Sequence, residues 1–366
     1  TLFFLLLHSH HRSTAMNRRL HALTLVRLTL SLAMAACIPV HAQDEACRNK
    51  IVVASFGGQL DDTYKKIFKP FEEKTGITIQ WVPGTAPGNV AKLAATRSAP
   101  EYDVILLENI TQRLASTQGL LTPIDESLVP NYKDLIPKAR AKDHDGAAIG
   151  LFVTGLYYRK DTFAQKKWDA PTSWNDLARP EFCGHLGLER ATQVYTLNAV
   201  LMLAGGKTDA IDQGIQKFAA LGKCARVLEP AAAKHEEKIL LGEYLVGVNS
   251  SIRALPLTQR VPGLTFVVPK EGAVGSATMA APVKGAPNPA GAQAFVNWFL
   301  SPEAQATLVR ELFYTPVNAK VSIPPELQKL GVPAQDVYAN LPAIDDDVVM
   351  KDRREWTRKL ERALDN

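Results

Sequence analysis

The residues of this chain that could do chemistry are few and scattered. Beyond residue 42, histidine occurs only as His144, His185 and His235. None has a partner at metal-ligand spacing, so each reads as a surface or hydrogen-bonded structural residue. There is no Gly-x-Ser-x-Gly turn, no Walker sequence and no Cys-x-x-Cys, which leaves no nucleophile with its base and no redox dithiol. Tyr157-Tyr158 has the residue type that holds ferric iron as tyrosinate, but neighbours in a strand face opposite sides and one of them packs inward. Asp345-Asp346-Asp347 lacks the glycine-containing loop of a calcium site. Acids there suit the positive end of a helix over 348–363. Neither a cofactor nor a metal is expected.

The cysteines carry chemistry of another kind. Residues 16–42 follow the plan of a secretory signal peptide: Met16, a basic stretch with Arg18, Arg19 and Arg27, an apolar run from Leu28 to Ile38, and the small-x-small pattern Val40-His41-Ala42. The apolar run is about half of the roughly 20 residues that span a bilayer. Residues 1–15 read as upstream extension. A lipid anchor at Cys37 is the weaker reading, because Met34 stands where leucine is usual. Export to an oxidising compartment leaves Cys47, Cys183 and Cys224, of which two are expected to pair. Cys183 and Cys224 each precede a strand-like run, 185–188 and 225–228, so they are the predicted disulfide, with two buried free thiols as the alternative.

Composition removes other classes. The 366 residues are 46% hydrophobic and 22% charged, which excludes a disordered or fibrous chain and suggests about two domains. Of the net charge of +5, four charges belong to the first segment, since residues 1–42 hold four arginines and no lysine or acid. What remains is close to neutral, giving no basis for a nucleic-acid partner.

Strands alternating with helices must position whatever site exists. Ile51–Ser55 is a strand ending at the Gly57-Gly58 turn. Tyr64, Ile67, Phe68 and Phe71 recur at helical spacing, with Pro70 predicting a kink or early end. Strands over 77–81 and 102–107 and helices over 89–97 and 111–118 follow. This predicts an α/β chain with a mostly parallel sheet. Ligands bind such sheets beyond the carboxyl ends of the strands, near helix starts; here those loops are Gly57-Gly58, Pro83–Asn89 and Glu108-Asn109. A second α/β set begins near Tyr157, with helices over 193–204 and 209–221, an amphipathic stretch over 234–242, and a strand over 244–248 ending at Asn249-Ser250-Ser251. After the strand-like 264–268 and 279–283, Asn288-Pro289 and Ser301-Pro302 each open a helix with an N-cap and a first-turn proline. Trp174 and Trp298 sit among apolar residues and read as core anchors.

Several ordered stretches carry a resemblance: Val53-Ala-Ser-Phe-Gly-Gly58, Phe71-Glu-Glu-Lys-Thr-Gly76, Pro100-Glu-Tyr-Asp103, Thr154-Gly-Leu-Tyr157, Pro171-Thr-Ser-Trp-Asn-Asp-Leu177, Pro269-Lys-Glu-Gly272, Pro302-Glu-Ala-Gln305 and Tyr314-Thr-Pro-Val-Asn318. In this order they resemble the solute-binding proteins of bacterial ABC importers, in the branch that contains the spermidine/putrescine binders. The resemblance implies a type II periplasmic-binding fold, two α/β lobes joined by crossing hinge strands with a ligand cleft between them. The corresponding division is an extension and signal peptide over 1–42, a first lobe over 43–153, a second over 154–274, and a return to the first lobe with C-terminal helices over 275–366.

The implied function is capture of a small amine-bearing metabolite in the periplasm by hinge closure, as a monomer, and its delivery to an inner-membrane permease. The polyamine cage is incomplete. Gly275-Ser276-Ala277-Thr278 stands where those binders resemble Phe-Trp-x-Asp, Val248-Asn249 stands for their tryptophan–asparagine pair, and Gly57-Gly58 for an aromatic pair. What remains is mixed in charge. Glu108 on one lobe suits an ammonium and Arg253 on the other a carboxylate, so an amino acid or γ-aminobutyrate fits as well as a polyamine. An ion pair of these two residues is the structural alternative. Backbone N–H groups at Gly57, Gly58 and Thr85 could also take a carboxylate, and Asn109, Thr154, Gln193, Tyr195, Asn249 and Thr278 complete the expected contacts. The alternatives are a ferric-ion carrier and a secreted enzyme on the same fold.

Overall fold

The computed structural model describes residues 49–56 and 60–365, the side chains of 60–62 excepted. The proposed signal peptide, Cys37, Cys47 and the Gly57-Gly58 turn lie outside the described residues. The chain opens with β1 (Lys50–Phe56), α1 (Leu60–Thr75), β2 (Thr78–Gly84), α2 (Ala86–Ala95), β3 (Val104–Glu108) and α3 (Asn109–Thr117). β1 pairs in parallel with β2 and β3. The apolar stripe of α1 is buried, and of the kink or early end expected at Pro70 the early end does not occur, since α1 runs on to Thr75. Proline removes the N–H that would bond the Lys66 carbonyl, and Lys66 is exposed, where that carbonyl is open to solvent. Phe68 and Phe71 hold both flanks in the core.

The middle of the chain supplies β4 (Ala147–Arg159), α4 (Lys160–Lys166), β5 (Leu186–Glu189), α5 (Val194–Leu203), α6 (Ile211–Cys224) and β6 (Leu228–Glu229). It continues with α7 (Ala232–Leu240), β7 (Val246–Ser250), α8 (Ser251–Thr258), β8 (Leu264–Val267) and β9 (Val274–Pro282). The sheet order is β2-β1-β3-β9-β4-β7-β5-β6, with β8 also on β4. This departs from a mostly parallel sheet. β4 is buried up to its last residue; it pairs antiparallel with β9 through 147–154 and with β7 and β8 through 154–159. β9 pairs antiparallel with β3 on its other edge. β4 and β9 are thus the crossing strands that join two halves.

Helices α9 (Pro289–Phe299), α10 (Pro302–Leu312), α11 (Pro325–Leu330), α12 (Gln335–Ala339) and α13 (Asp346–Asp365) complete the chain. Asn288 and Ser301 cap α9 and α10 through Gly291 N–H (2.9 Å) and Ala304 N–H (3.3 Å). One apolar core gathers α1, α9 and α10 around Phe71, Phe295 and Phe299. Another gathers β5, α5 and α6 around Trp174, Phe182 and Phe218. Trp174 is buried, with its indole N–H donating to the Gly272 carbonyl (2.9 Å); Trp298 donates to the Ile67 carbonyl (2.9 Å).

Cys183 and Cys224 form a disulfide with 4.7 Å between their Cα atoms. Cys224 ends α6, and the strand that follows is only Leu228–Glu229. The last helix, α13, starts at Asp346, with Asp345 accepting from the Asp347 N–H (2.8 Å), which is the expected use of the acidic run. Its first turn is also bonded to α3: Asn109 Nδ2 donates to both Asp346 oxygens at 3.0 Å, and Arg113 pairs with Asp347. Further along, Val349, Trp356 and Leu360 enter the second core. Among the described residues no helix is long and apolar enough to cross a membrane.

Candidate functional site

Strand direction builds a gap. From β3 to β9, β9 to β4 and β4 to β7 the direction reverses each time, so β1 and β3 run opposite to β5 and β7, and their carboxyl ends face each other. The register sets the spacing. Glu108 is level with Thr278, and Thr278 with Gly150; on the far side Ser250 is level with Thr154. Four residues of β4, about 13 Å, therefore separate the two rows of strand ends. Helices α3, α5 and α8 begin just beyond those ends, with their free N–H groups at the gap.

Glu108 dominates the first row. Burial raises its carboxyl above the usual glutamate value, against the opposing pull of its own N–H, the charge of Arg353 on α13 and the Thr111 hydroxyl. Three phenols feel its negative charge: Tyr64 of α1, Tyr314 after α10, and Tyr195 of α5. Burial is the main cause that pushes each phenol up, and all three stay protonated at neutral pH. The Thr278 and Tyr314 hydroxyls are 2.8 Å apart. The Tyr64 hydroxyl lies beside Tyr314 without a hydrogen bond, and Ser55 Oγ at the end of β1 is also buried without a partner. A Cβ at Gly150 would meet Tyr314 Cγ at 2.3 Å, so glycine in β4 is what lets this ring approach. One carboxylate among aromatic rings and hydroxyls is suited to an ammonium group.

The second row offers donors. Asn249 Oδ1 accepts from the Ser250 N–H (2.8 Å), which leaves Asn249 Nδ2 beside the start of α8. That Nδ2 and Ser250 Oγ are both buried without partners. Arg253 is in the first turn of α8 rather than in a loop, and its partner is Glu236 of α7 at 2.8 Å, not Glu108. Burial pushes the Tyr195 phenol up to about 12, with Arg253 and Ser250 acting against it, so the three groups share one corner. Glu189 ends β5 in the same neighbourhood: one carboxylate oxygen is 3.0 Å from His235 Nδ1 and the other has no partner. Five of the six buried side-chain atoms without partners among the described residues are at or beside these strand ends. A buried polar atom left unpaired is costly unless something else satisfies it.

Other expected contacts are spent elsewhere. Thr85 caps α2, accepting from Gly88 N–H at 3.2 Å, and is exposed. Asn109 is held by Asp346. Thr154 accepts from Asn198 Nδ2 at 2.8 Å, and Gln193 donates to the Pro230 carbonyl at 3.0 Å. Tyr157 is bonded to His235 Nε2 (2.8 Å), and Tyr158 packs on Phe163; the pair faces opposite sides, and the described residues contain no group of three or more His, Cys, Asp or Glu placed to hold a metal. The sequence reading missed Ser55, Tyr64, Glu189, Ser250 and Tyr314. Position at a strand end could have found Ser55, Glu189 and Ser250. Tyr64 sits in an apolar helical stripe that reads only as core.

A family model for bacterial extracellular solute-binding proteins matches residues 66–334, a span that contains Glu108, Ser250 and both crossing strands. The chain belongs to this family. This solute-binding protein is 28% identical over 289 residues to spermidine/putrescine-binding periplasmic protein 1 of Haemophilus influenzae, covering 74% of this chain and 78% of that one. It is 26% identical over 306 residues to the γ-aminobutyric acid-binding protein of Pseudomonas aeruginosa, covering 80% and 82%. A Salmonella typhimurium relative, named "Putative 2-aminoethylphosphonate-binding periplasmic protein", is 25% identical over 334 residues, covering 87% and 94%. Among solved structures, the spermidine/putrescine ABC transporter substrate-binding protein of Streptococcus pneumoniae matches with a TM-score of 0.71 at 19% identity, over 86% of this chain and 99% of that one. A ferric binding protein from Campylobacter jejuni matches with 0.70 at 18%, over the same shares. These likenesses establish the fold: α/β, type II periplasmic-binding-like, with two lobes on crossing strands.

Proposed function

We propose that this solute-binding protein is the non-enzymatic, periplasmic component of an ABC importer that captures a small amine-bearing metabolite. Lobe closure holds the ligand, which is then delivered to a membrane permease. In this reading 43–153 and the segments after 275 make one lobe, 154–274 makes the other, and α13 lies on both. The carrying observation is the pair of facing rows: Glu108 with Tyr64 and Tyr314 on one side, Tyr195 with the unpaired donors of Asn249 and Ser250 on the other. Such an arrangement favours a zwitterion, its ammonium at Glu108 and its anionic group at the start of α8. All three named relatives carry an amine in the ligand of their name, which supports the amine-bearing class.

Thermal-shift and calorimetric titration with γ-aminobutyrate, 2-aminoethylphosphonate and putrescine test the reading. Stabilisation of the wild-type protein by at least one of them, abolished by Glu108→Gln, is the expected result; no stabilisation by any of them overturns it. Colour and visible absorbance of the protein with ferric ion separate the iron-carrier alternative. Sequencing the amino terminus of periplasmic protein, expected at Gln43, tests the export route.

A further inference from the structure

The last helix brings a second arginine to the binding gap. Its first turn is fastened beside Glu108, because Asn109, the next residue, donates to Asp346 at 3.0 Å, and Lys142 and Arg113 both pair with Asp347. Arg353 is seven residues after Asp346, two helical turns, and so lies on nearly the same face of α13. That face is the inward one, since Val349, Trp356 and Leu360 on the same side enter the second core. Arg353 makes no ion pair with a described residue, in contrast to Arg253, which is paired with Glu236. Its charge nevertheless acts on the Glu108 carboxylate. The two groups are therefore near enough to interact without closing into a salt bridge.

Resting on the binding reading above, we propose that Arg353 is a specificity-determining residue that biases the Glu108 pocket against dications and towards ligands with one ammonium and one anionic group. A resident cation next to the acid weakens the attraction for every ammonium, but a ligand with a second ammonium meets repulsion twice. A ligand with a carboxylate or phosphonate regains from Arg353 what its ammonium loses. Discrimination between ligands is a difference of affinities, so a group that penalises one class is as effective as a group that attracts the other.

The experiment compares wild type, Arg353→Gln, Arg353→Lys and Val349→Ala by calorimetric titration with γ-aminobutyrate, 2-aminoethylphosphonate and putrescine. Arg353→Gln is expected to change the putrescine-to-zwitterion affinity ratio in favour of putrescine by about tenfold or more, the scale of one charge acting over several ångströms. Arg353→Lys keeps the wild-type ratio. Val349→Ala loosens the packing of α13 on the second core without altering any charge, so it moves all three affinities by a common factor. If Arg353→Gln also moves them by a common factor, or leaves the ratio unchanged with the melting temperature of the wild type, the specificity role is overturned and the binding reading stands. If the wild-type protein binds none of the three, the binding reading falls and this inference with it.

Discussion

On the proposed reading, in which Glu108 takes the ligand's ammonium group, this single carboxyl ties recognition to pH. Its proton affinity is raised by burial, so its neutral form persists to a higher pH than that of a free glutamate. An ammonium ligand needs the carboxylate. Affinity is therefore full above the raised value and falls as the pH drops through it, and a proton leaves the protein on binding within that window. Stability has the opposite sense, because the buried charge costs the fold at neutral pH and protonation relieves the cost on acidification. Titration across pH 4 to 8 in two buffers of different ionisation enthalpy checks this, and Glu108→Gln is expected to flatten the profile. Ser250 gives a second prediction at this scale. Its hydroxyl is buried and unpartnered, so Ser250→Ala should leave ligand-free stability unchanged or raise it by up to about 1 kcal/mol while ligand affinity drops about tenfold. Denaturant melts paired with binding titrations separate the two effects. The strand-end positions of Glu108 and Asn249 were legible, because a strand followed by a helix start marks them in the sequence. Tyr314 was not, because its role depends on Gly150 leaving room for a ring from a distant part of the chain, and nothing in local periodicity reports that.

Among the elements, those with a chemical start signal were read correctly: Asn288-Pro289 and Ser301-Pro302 open α9 and α10 as their caps require. The crossing strand β4 was mostly missed. Its first residues carry no alternation because both faces are covered, and a continuous apolar run does not separate a strand from a buried helix segment. The antiparallel pairing that builds the gap was equally hidden, since it joins segments far apart in sequence. The disulfide was legible from the expectation of an oxidising compartment and from the strand-like runs after each cysteine, although the second of those strands is barely formed. It closes a loop with a sequence separation of 41. Replacing both cysteines by serine is expected to lower unfolding free energy by roughly 4 kcal/mol on the chain-entropy account, measured by urea unfolding, with little change in ligand affinity because the bridge is at the β5–β6 edge of the sheet and not at the gap.

For the molecule as a whole, the two rows of strand ends predict compaction on binding. Small-angle scattering should show a smaller radius of gyration with saturating ligand, and Glu108→Gln should remain expanded under the same conditions. An unchanged radius in the wild type would mean that capture proceeds without closure. Sheet order has another consequence, for biogenesis. The strand wedged between β3 and β4 is β9, which the ribosome makes only after the entire 154–267 stretch. Until it arrives, β3 and the amino-terminal part of β4 lack their common neighbour, so the nascent polypeptide lacks the central strand of its sheet, and topologies dominated by such distant pairings fold slowly. On the proposed export route, a chain slow to fold is one that a translocation machinery can still thread.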